Sequence, residues 1–363
     1  MDASHLPHGE LYTCLEGLDA QATAALDRTI RSQGGEIAIG RGGTRAIAVG
    51  AAVALARAAE TLHAAGQPFA LALSTALRQY RTARLAHTRT LIVGILNVTP
   101  DSFSDGGQFL TSEQAVARGE EMLADGADVL DIGGESTRPG AEEVPLEEEL
   151  RRVLPVIEAL VRIPEARISV DTRRAEVAAR CLDVGAWMVN DVSAGMHDPP
   201  LLGVVARAGA RLALMHMRGV PATMQEHPVY EDVVADTARF LRERCAVALE
   251  AGVAEELLWI DPGFGFGKTV THNLQILQRL REYTALGPPV LIGTSRKSTL
   301  GRVLGGAFGD LPVTERLEAT AATVAAAIMN GACAVRVHDV RAMARVARMT
   351  EAIRDVPPAE SAA

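Results

Sequence analysis

Leu91-Ile-Val-Gly-Ile-Leu-Asn97 is a short apolar run that ends on an amide, and seven later runs repeat its form. They are approximately Asp128–Ile132, Ile168–Asp171, Trp187–Asp191, Arg211–His216, Leu257–Asp261, Val290–Gly293 and Ala334–Val337. Strands buried on both faces of a parallel sheet read as continuous Val, Ile and Leu, whereas half-wet strands alternate. Between the runs lie Ser112–Asp125, Leu146–Val161, Ala175–Val184, Tyr230–Ala251, Asn273–Tyr283 and Thr314–Asn330, with apolar residues at helical spacing and charges between them. Eight such strands alternating with helices predict an α/β fold, a (β/α)8 TIM barrel of roughly 250 residues. A doubly wound open sheet is the alternative.

A barrel of this kind carries its active site at the C-terminal ends of its strands. Asn97, Asp131, Asp171, Asn190 with Asp191, His216, Asp261, Ser295 with Lys297, and Arg336 with His338 each close or follow one of the eight runs. That alignment points to a single rim. Residues 1–88 are different. They hold Gly34-Gly35, Arg41-Gly-Gly43, an Ala-rich stretch over Ala46–Ala65 and an apolar run at Phe69–Leu73. This segment predicts a small N-terminal α/β extension, joined through Arg78–Arg89 to a barrel domain over residues 89–356. Its glycines are a weak phosphate-loop signal, and ordinary turns explain them better.

The chain has 363 residues, a net charge of −9 and 48% hydrophobic residues, enough for a large core and unsuited to nucleic acid. Cys14, Cys181, Cys245 and Cys333 form no CxxC pair, which reads as reduced thiols in a cytoplasmic protein. Cys181 and Cys333 lie in apolar surroundings that suit core packing. There is no basic start followed by an apolar core, so no secretory signal is expected, and Ala46–Ala56 is too short to span a bilayer.

Of the 36 basic residues only Lys268 and Lys297 are lysines. An ammonium is compact and can lose its proton, whereas a guanidinium is a planar fork that does not. Both lysines stand among Gly and Ser after an apolar run, which points to a ligand site. The loop after the first run, Asn97 to Gly107, is rich in Pro, Ser, Asp and Gly and suits a mobile lid. Asn97 offers a neutral oxygen to Mg2+ or to water on it. In Asp131-Ile-Gly-Gly-Glu-Ser-Thr-Arg138-Pro139, small residues let backbone approach a ligand, Thr137 adds a hydroxyl and Arg138 can pair with an anion. Asp171 and Asp261 close apolar strands, a costly place for an acid without a partner. With the amide of Asn190 they suit a flat heterocycle bearing several N–H groups. A metal site and a glycosidase-like acid–base pair are the other readings of these carboxylates, although His216 and His338 lack ligand spacing. Arg336 and His338, alternate residues of one strand, point together and form an anion end.

Assembled, these motifs resemble the dihydropteroate synthase family, the pterin-binding enzymes of folate biosynthesis that sulfonamides inhibit. The resemblance covers about Leu91 to Ile353. It rests on Leu96-Asn-Val-Thr-Pro-Asp-Ser-Phe-Ser-Asp-Gly-Gly107, Gly133-Gly-Glu-Ser-Thr-Arg-Pro-Gly140, Asp261-Pro-Gly-Phe-Gly-Phe-Gly-Lys268, Ser295-Arg-Lys-Ser298 and Arg336-Val-His-Asp339, in order. Residues 1–88 depart from the family's minimal form and are similar to an extension of longer members.

The resemblance implies a transferase joining 6-hydroxymethyl-7,8-dihydropterin pyrophosphate to 4-aminobenzoate. It assigns the pterin to Asp171, Asn190, Asp261 and Lys297, and the pyrophosphate to Asn97, Arg336 and His338 with Mg2+. The aminobenzoate falls to Thr137, Arg138, Pro139, Phe266, Ser295 and Lys297, and the loops of Asp101, Asp105 and Arg138 order over the reacting centre. It implies a homodimer, with small residues over Ala321–Ala334 suited to close helix packing. A pterin-binding methyltransferase domain would lack the Thr-Arg-Pro-Gly and Ser-Arg-Lys motifs, and a silent pterin-binding paralogue would bind without turnover.

Overall fold

The computed structural model describes residues 10–39, 45–67, 70, 73, 89–99, 111–135, 143–219, 224, 228–306 and 309–356. The chain forms two compact units, Met1–Thr88 with Leu280–Gly287, and Arg89–Arg279 with Pro288–Ala363.

In the first unit, β1 (Glu10–Glu16), β2 (Glu36–Ile39) and β3 (Arg45–Ala51) form an antiparallel sheet in the order β1-β3-β2, accompanied by α1 (Ala20–Ser32) and α2 (Ala52–Ala64). Asp19 caps α1 by accepting from Ala22 N at 2.6 Å. Leu26, Ile30, Leu55 and Leu62 are buried with Leu15 and Ala48 in a core of their own. Gly34-Gly35 is the turn that ends α1: Gly34 has φ +81° and Gly35 N donates to Ile30 O at 2.9 Å. Gly34 serves chain reversal, which its left-handed φ reserves for glycine. Arg41 to Gly43 lie outside the described residues.

In the second unit the strands are β4 (Leu91–Asn97), β5 (Val129–Gly133), β6 (Ile168–Asp171), β7 (Met188–Asp191), β8 (Arg211–Met215), β9 (Leu258–Asp261), β10 (Leu291–Ile292) and β11 (Ala334–Val337). They form one eight-stranded parallel sheet, and a parallel bridge from Ile260 to Val290 joins its ends. This is the (β/α)8 barrel expected from the alternating pattern. Between and after the strands run α3 (Ser112–Ala124), α4 (Leu146–Leu160), α5 (Ala175–Asp183), α6 (Pro200–Ala208), α7 (Val233–Glu250), α8 (Val270–Gln278), α9 (Ser298–Gly305), α10 (Leu317–Met329) and α11 (Val340–Arg354).

Element ends differ from the sequence reading for local reasons. α7 starts at Val233 rather than Tyr230 because Asp232 caps it, accepting from Val234 N at 2.9 Å and Ala235 N at 3.1 Å. α8 starts three residues before Asn273, behind a Thr269–His272 capping box, and the chain continues as a 3-10 helix over Leu280–Leu286. β10 is short because Pro288 and Pro289 have no N–H to give to a ladder. Val93, Val129, Met188, Ala213, Trp259, Leu291 and Ala334, from seven of the strands, pack together as one buried apolar cluster. Among the described residues no helix is long and apolar enough to cross a membrane.

Candidate functional site

Strand register brings the site together. Asn97 is paired with Gly133, Gly133 with Asp171, and Asp171 with Asn190. The ends of β4 to β7 thus stand at one level, and Asp261 reaches the same rim opposite Met215. A Cβ on Gly133 would lie 3.5 Å from both Asn97 Oδ1 and Asp171 Cβ, so glycine leaves room between them.

Arg336 on β11 is the hub of this rim. Its Nε donates to Asp131 Oδ2 at 2.6 Å, and its Nη2 donates to Asp171 Oδ2 at 2.7 Å. Asn190 Nδ2 donates to the same Asp131 oxygen at 3.0 Å. Asp131, Asp171 and Asn190 are buried. Burial is the chief cause that pushes the Asp171 carboxyl up to about 7; Arg336 opposes it and Asp131 adds to it.

The far side of the rim is built by Asp261-Pro-Gly-Phe-Gly-Phe-Gly-Lys268. Gly263, Gly265 and Gly267 have φ of +70°, +85° and +62°, a path that L side chains resist. Gly263 N donates to Asp261 Oδ1 at 2.7 Å, and burial raises the Asp261 pKa although Lys297 opposes it. The half-buried Lys297 donates from Nζ to Phe264 O and stands 4.3 Å from the centroid of the Phe266 ring. Burial lowers its pKa to about 7, with Asp261 the strongest opposing charge. Lys268 is buried beneath the loop, its Nζ 2.9 Å from His216 Nδ1, 2.9 Å from Gly263 O and 3.0 Å from Phe266 O. His216 is held neutral at ordinary pH, its pKa lowered to about 2 by burial first and by Lys268 second.

Ser295 and His338 form a third corner, with Ser295 Oγ 3.0 Å from His338 Nδ1 and accepting from His338 N at 3.2 Å. Arg296 Nε donates to Asp339 Oδ2 at 2.9 Å and ties the same two loops. Arg336 and His338 therefore have different partners: the guanidinium engages β5 and β6, the imidazole the loop after β10. Asp101, Asp105, Thr137, Arg138 and Pro139 lie outside the described residues.

Sequence reasoning assigned no role to several residues that organise this rim. Asp131 carries the same signal as Asp171, an acid within an apolar strand. Glu135, Glu149, Arg173 and Arg174 form a network at the base of the β5 loop. Glu135 accepts from Val144 N and from Arg173 Nε, each at 3.0 Å, while Glu149 accepts from Thr172 Oγ1 at 2.7 Å and Arg174 Nη1 at 2.8 Å. These pairings join distant elements and have no local signature.

The chain matches the family described as Pterin binding enzyme over residues 93–338. The dihydropteroate synthase of Escherichia coli (strain K12) is 46% identical over 261 residues, which cover 72% of this chain and 90% of that protein. Among solved structures, the Yersinia pestis dihydropteroate synthase with a sulfonamide drug complex aligns with a TM-score of 0.70 at 42% identity, over 74% of this chain and 96% of that one. The Xanthomonas albilineans dihydropteroate synthase with 4-aminobenzoic acid aligns with a TM-score of 0.68 at 46% identity, over 74% and 94%. The matched span runs from Val93 within β4 through β11 and takes in the rim from Asn97 to His338, and the chain belongs to the dihydropteroate synthase family of pterin-binding enzymes.

Proposed function

We propose that this protein condenses 6-hydroxymethyl-7,8-dihydropterin pyrophosphate with 4-aminobenzoate, releasing 7,8-dihydropteroate and pyrophosphate. The observation that carries this reading is the buried set Asp171, Asn190 and Asp261 on one rim, with the Lys297 ammonium beside Asp261. Two carboxylates and an amide accept from and donate to the edge of a pterin. In this reading Lys297 serves both substrates, and the aminobenzoate is assigned to Thr137, Arg138, Pro139, Phe266 and Ser295.

Asn97, Arg336 and His338 hold the pyrophosphate. Arg336 spends one Nε and one Nη2 contact on carboxylates, and its other N–H groups are donors for diphosphate oxygens. Among the described residues no three His, Cys, Asp or Glu side chains could hold a metal. Asn97, a neutral oxygen donor at the end of β4, would hold Mg2+, an ion that takes oxygen ligands and keeps several of its waters. When bound there, Mg2+ supplies neutralisation of the leaving group's charge.

Substitution at the pterin methylene is dissociative. The C–O bond to pyrophosphate breaks, its electrons leave with the diphosphate, and the arylamine nitrogen forms the new C–N bond before losing its proton. Cationic Arg336 stabilises the charge growing on the leaving group, and a cation developing on the pterin favours the ionised form of Asp171. The amine is already a neutral nucleophile, so positioning and exclusion of water account for most of the rate. The loops bearing Asp101, Asp105 and Arg138 exclude that water. α10 and α11 pack together and leave Leu317, Met329, Met349 and Ile353 exposed, which supports the homodimer as part of this proposal.

The test is to incubate the protein with the dihydropterin pyrophosphate, labelled 4-aminobenzoate and Mg2+. Labelled dihydropteroate that disappears on chelation or with a sulfonamide is the expected result. Pterin binding without product would instead favour a silent pterin-binding paralogue. Light scattering at micromolar concentration reads the oligomer, and a monomer counts against that part of the proposal.

A further inference from the structure

Lys268 is one of two lysines in the chain and takes no part in the chemistry above. We propose that it is a positioning residue, which fixes the backbone that gives Asp261 and Lys297 their geometry. The inference rests on the proposed reaction, in which those two residues hold the pterin.

The connections are short, and those to Gly263 and His216 are buried. Lys268 Nζ meets Gly263 O at 2.9 Å, and Gly263 N donates to Asp261 Oδ1 at 2.7 Å. It meets Phe266 O at 3.0 Å, and the Phe266 ring stands 4.3 Å below Lys297 Nζ. Phe264, between these two carbonyls in sequence, offers its own carbonyl to Lys297. One amine thus fixes both ends of a three-glycine loop whose outer side serves the site. The third partner, His216 Nδ1 at 2.9 Å, belongs to the end of β8 and is itself held edge-on by Phe240, with ring centroids 4.9 Å apart. The loop also fits tightly against β8, because a Cβ on Gly263 would lie 1.8 Å from His216 O.

The amine suits this seat in either protonation state. Charged, it donates to Gly263 O, Phe266 O and His216 Nδ1. Neutral, it donates to the two carbonyls and accepts from the His216 Nδ1–H tautomer. Burial holds the Lys268 pKa well below the usual lysine range, so the neutral form is accessible. A guanidinium has no neutral form to offer and is too broad, which accounts for lysine here in a chain of arginines. Lys297 is faced by Asp261 from β9, Arg336 from β11 and Asp171 from β6, and Lys268 lies under its loop.

The test compares the unmodified protein with Lys268→Met by steady-state kinetics across pH, after circular dichroism has established that the variant is folded. No product from the unmodified protein would sink the proposed reaction itself. Given product, Lys268→Met is expected to lose at least about tenfold in kcat/KM, the order seen when an outer support is removed from a site. Its alkaline limb, set by Lys297, is expected to move to lower pH, because the Phe264 carbonyl and Phe266 ring that favour the ammonium are released. A purely structural lysine would lower the melting temperature and leave that limb in place. If Lys268→Met does not fold, His216→Gln removes one partner with the lysine intact and is read in the same way. A limb that stays or moves upward, or kcat/KM within twofold of the unmodified protein, overturns the proposal.

Discussion

Arg336 Nη2 donates to Asp171 Oδ2 at 2.7 Å, and this contact ties the last strand of the barrel to the third. Asp131 and Asp171 are buried and the guanidinium is half-buried, so one cation serves both carboxylates, with Asn190 adding a second donor to Asp131. Asp171 keeps its proton up to about pH 7 in the folded protein but only to about 3.9 when unfolded. Between those values the folded state binds more protons, so this group's contribution to stability falls as pH rises. Asp171→Asn removes that slope. Urea denaturation from pH 4 to 7 should show the unmodified protein losing stability relative to Asp171→Asn, and parallel curves would sink the assignment.

Lys297→Arg is expected to fold normally and lose at least about 100-fold in kcat/KM, the scale of a misplacement of about 1 Å at a reacting centre. A Cβ on Gly265 would lie 2.9 Å from Lys297 Cδ, so the lysine stem runs close along the loop backbone, and a planar guanidinium cannot take the place of the compact ammonium that meets Phe264 O and the Phe266 ring. Thermal melting and initial rates together check this. Near-native turnover would remove the argument from lysine.

Gly263→Ala should destabilise the protein by at least about 3 kcal/mol, since it combines a φ of +70° with a clash against His216 O. Gly209 also has positive φ, at +59°, but nothing lies within 4 Å of its Cβ position. Gly209→Ala therefore reads the backbone strain alone, and its denaturation midpoint should fall much less.

Arg174→Ala is expected to cost about 3 kcal/mol, because it removes the cation paired with the buried Glu149 carboxylate and leaves it the Thr172 hydroxyl. Burial already raises the pKa of Glu149, with Arg174 opposing, so the variant should shed part of the loss at acid pH. Arg151→Ala, which breaks an exposed pair with Glu148, should leave the midpoint unchanged. Equal effects of the two variants on guanidinium denaturation would contradict this reading.

The barrel was legible because burial on both faces imposes continuous apolar runs, as at Ile168–Asp171 and Ala334–Val337, whose observed limits coincide with those runs. The rim was legible for a related reason: Asp171 and Asp261 are acids at the ends of apolar strands, where only a ligand or a partner justifies them. Element ends were less so, since caps such as Asp232 and prolines such as Pro288 act through backbone hydrogen bonds that periodicity does not register.

By itself the sequence determined the strand–helix alternation, the rim carboxylates, the two lysines and the family, since each depends on local composition, spacing or order. The tertiary structure alone decided that Arg336 pairs with Asp131 and Asp171, that Glu149 takes Arg174, and that Lys268 lies beneath the loop that serves Lys297. Those choices belong to closure of the barrel, which sets strand against strand in one register and leaves each buried charge only the partners that register brings within reach.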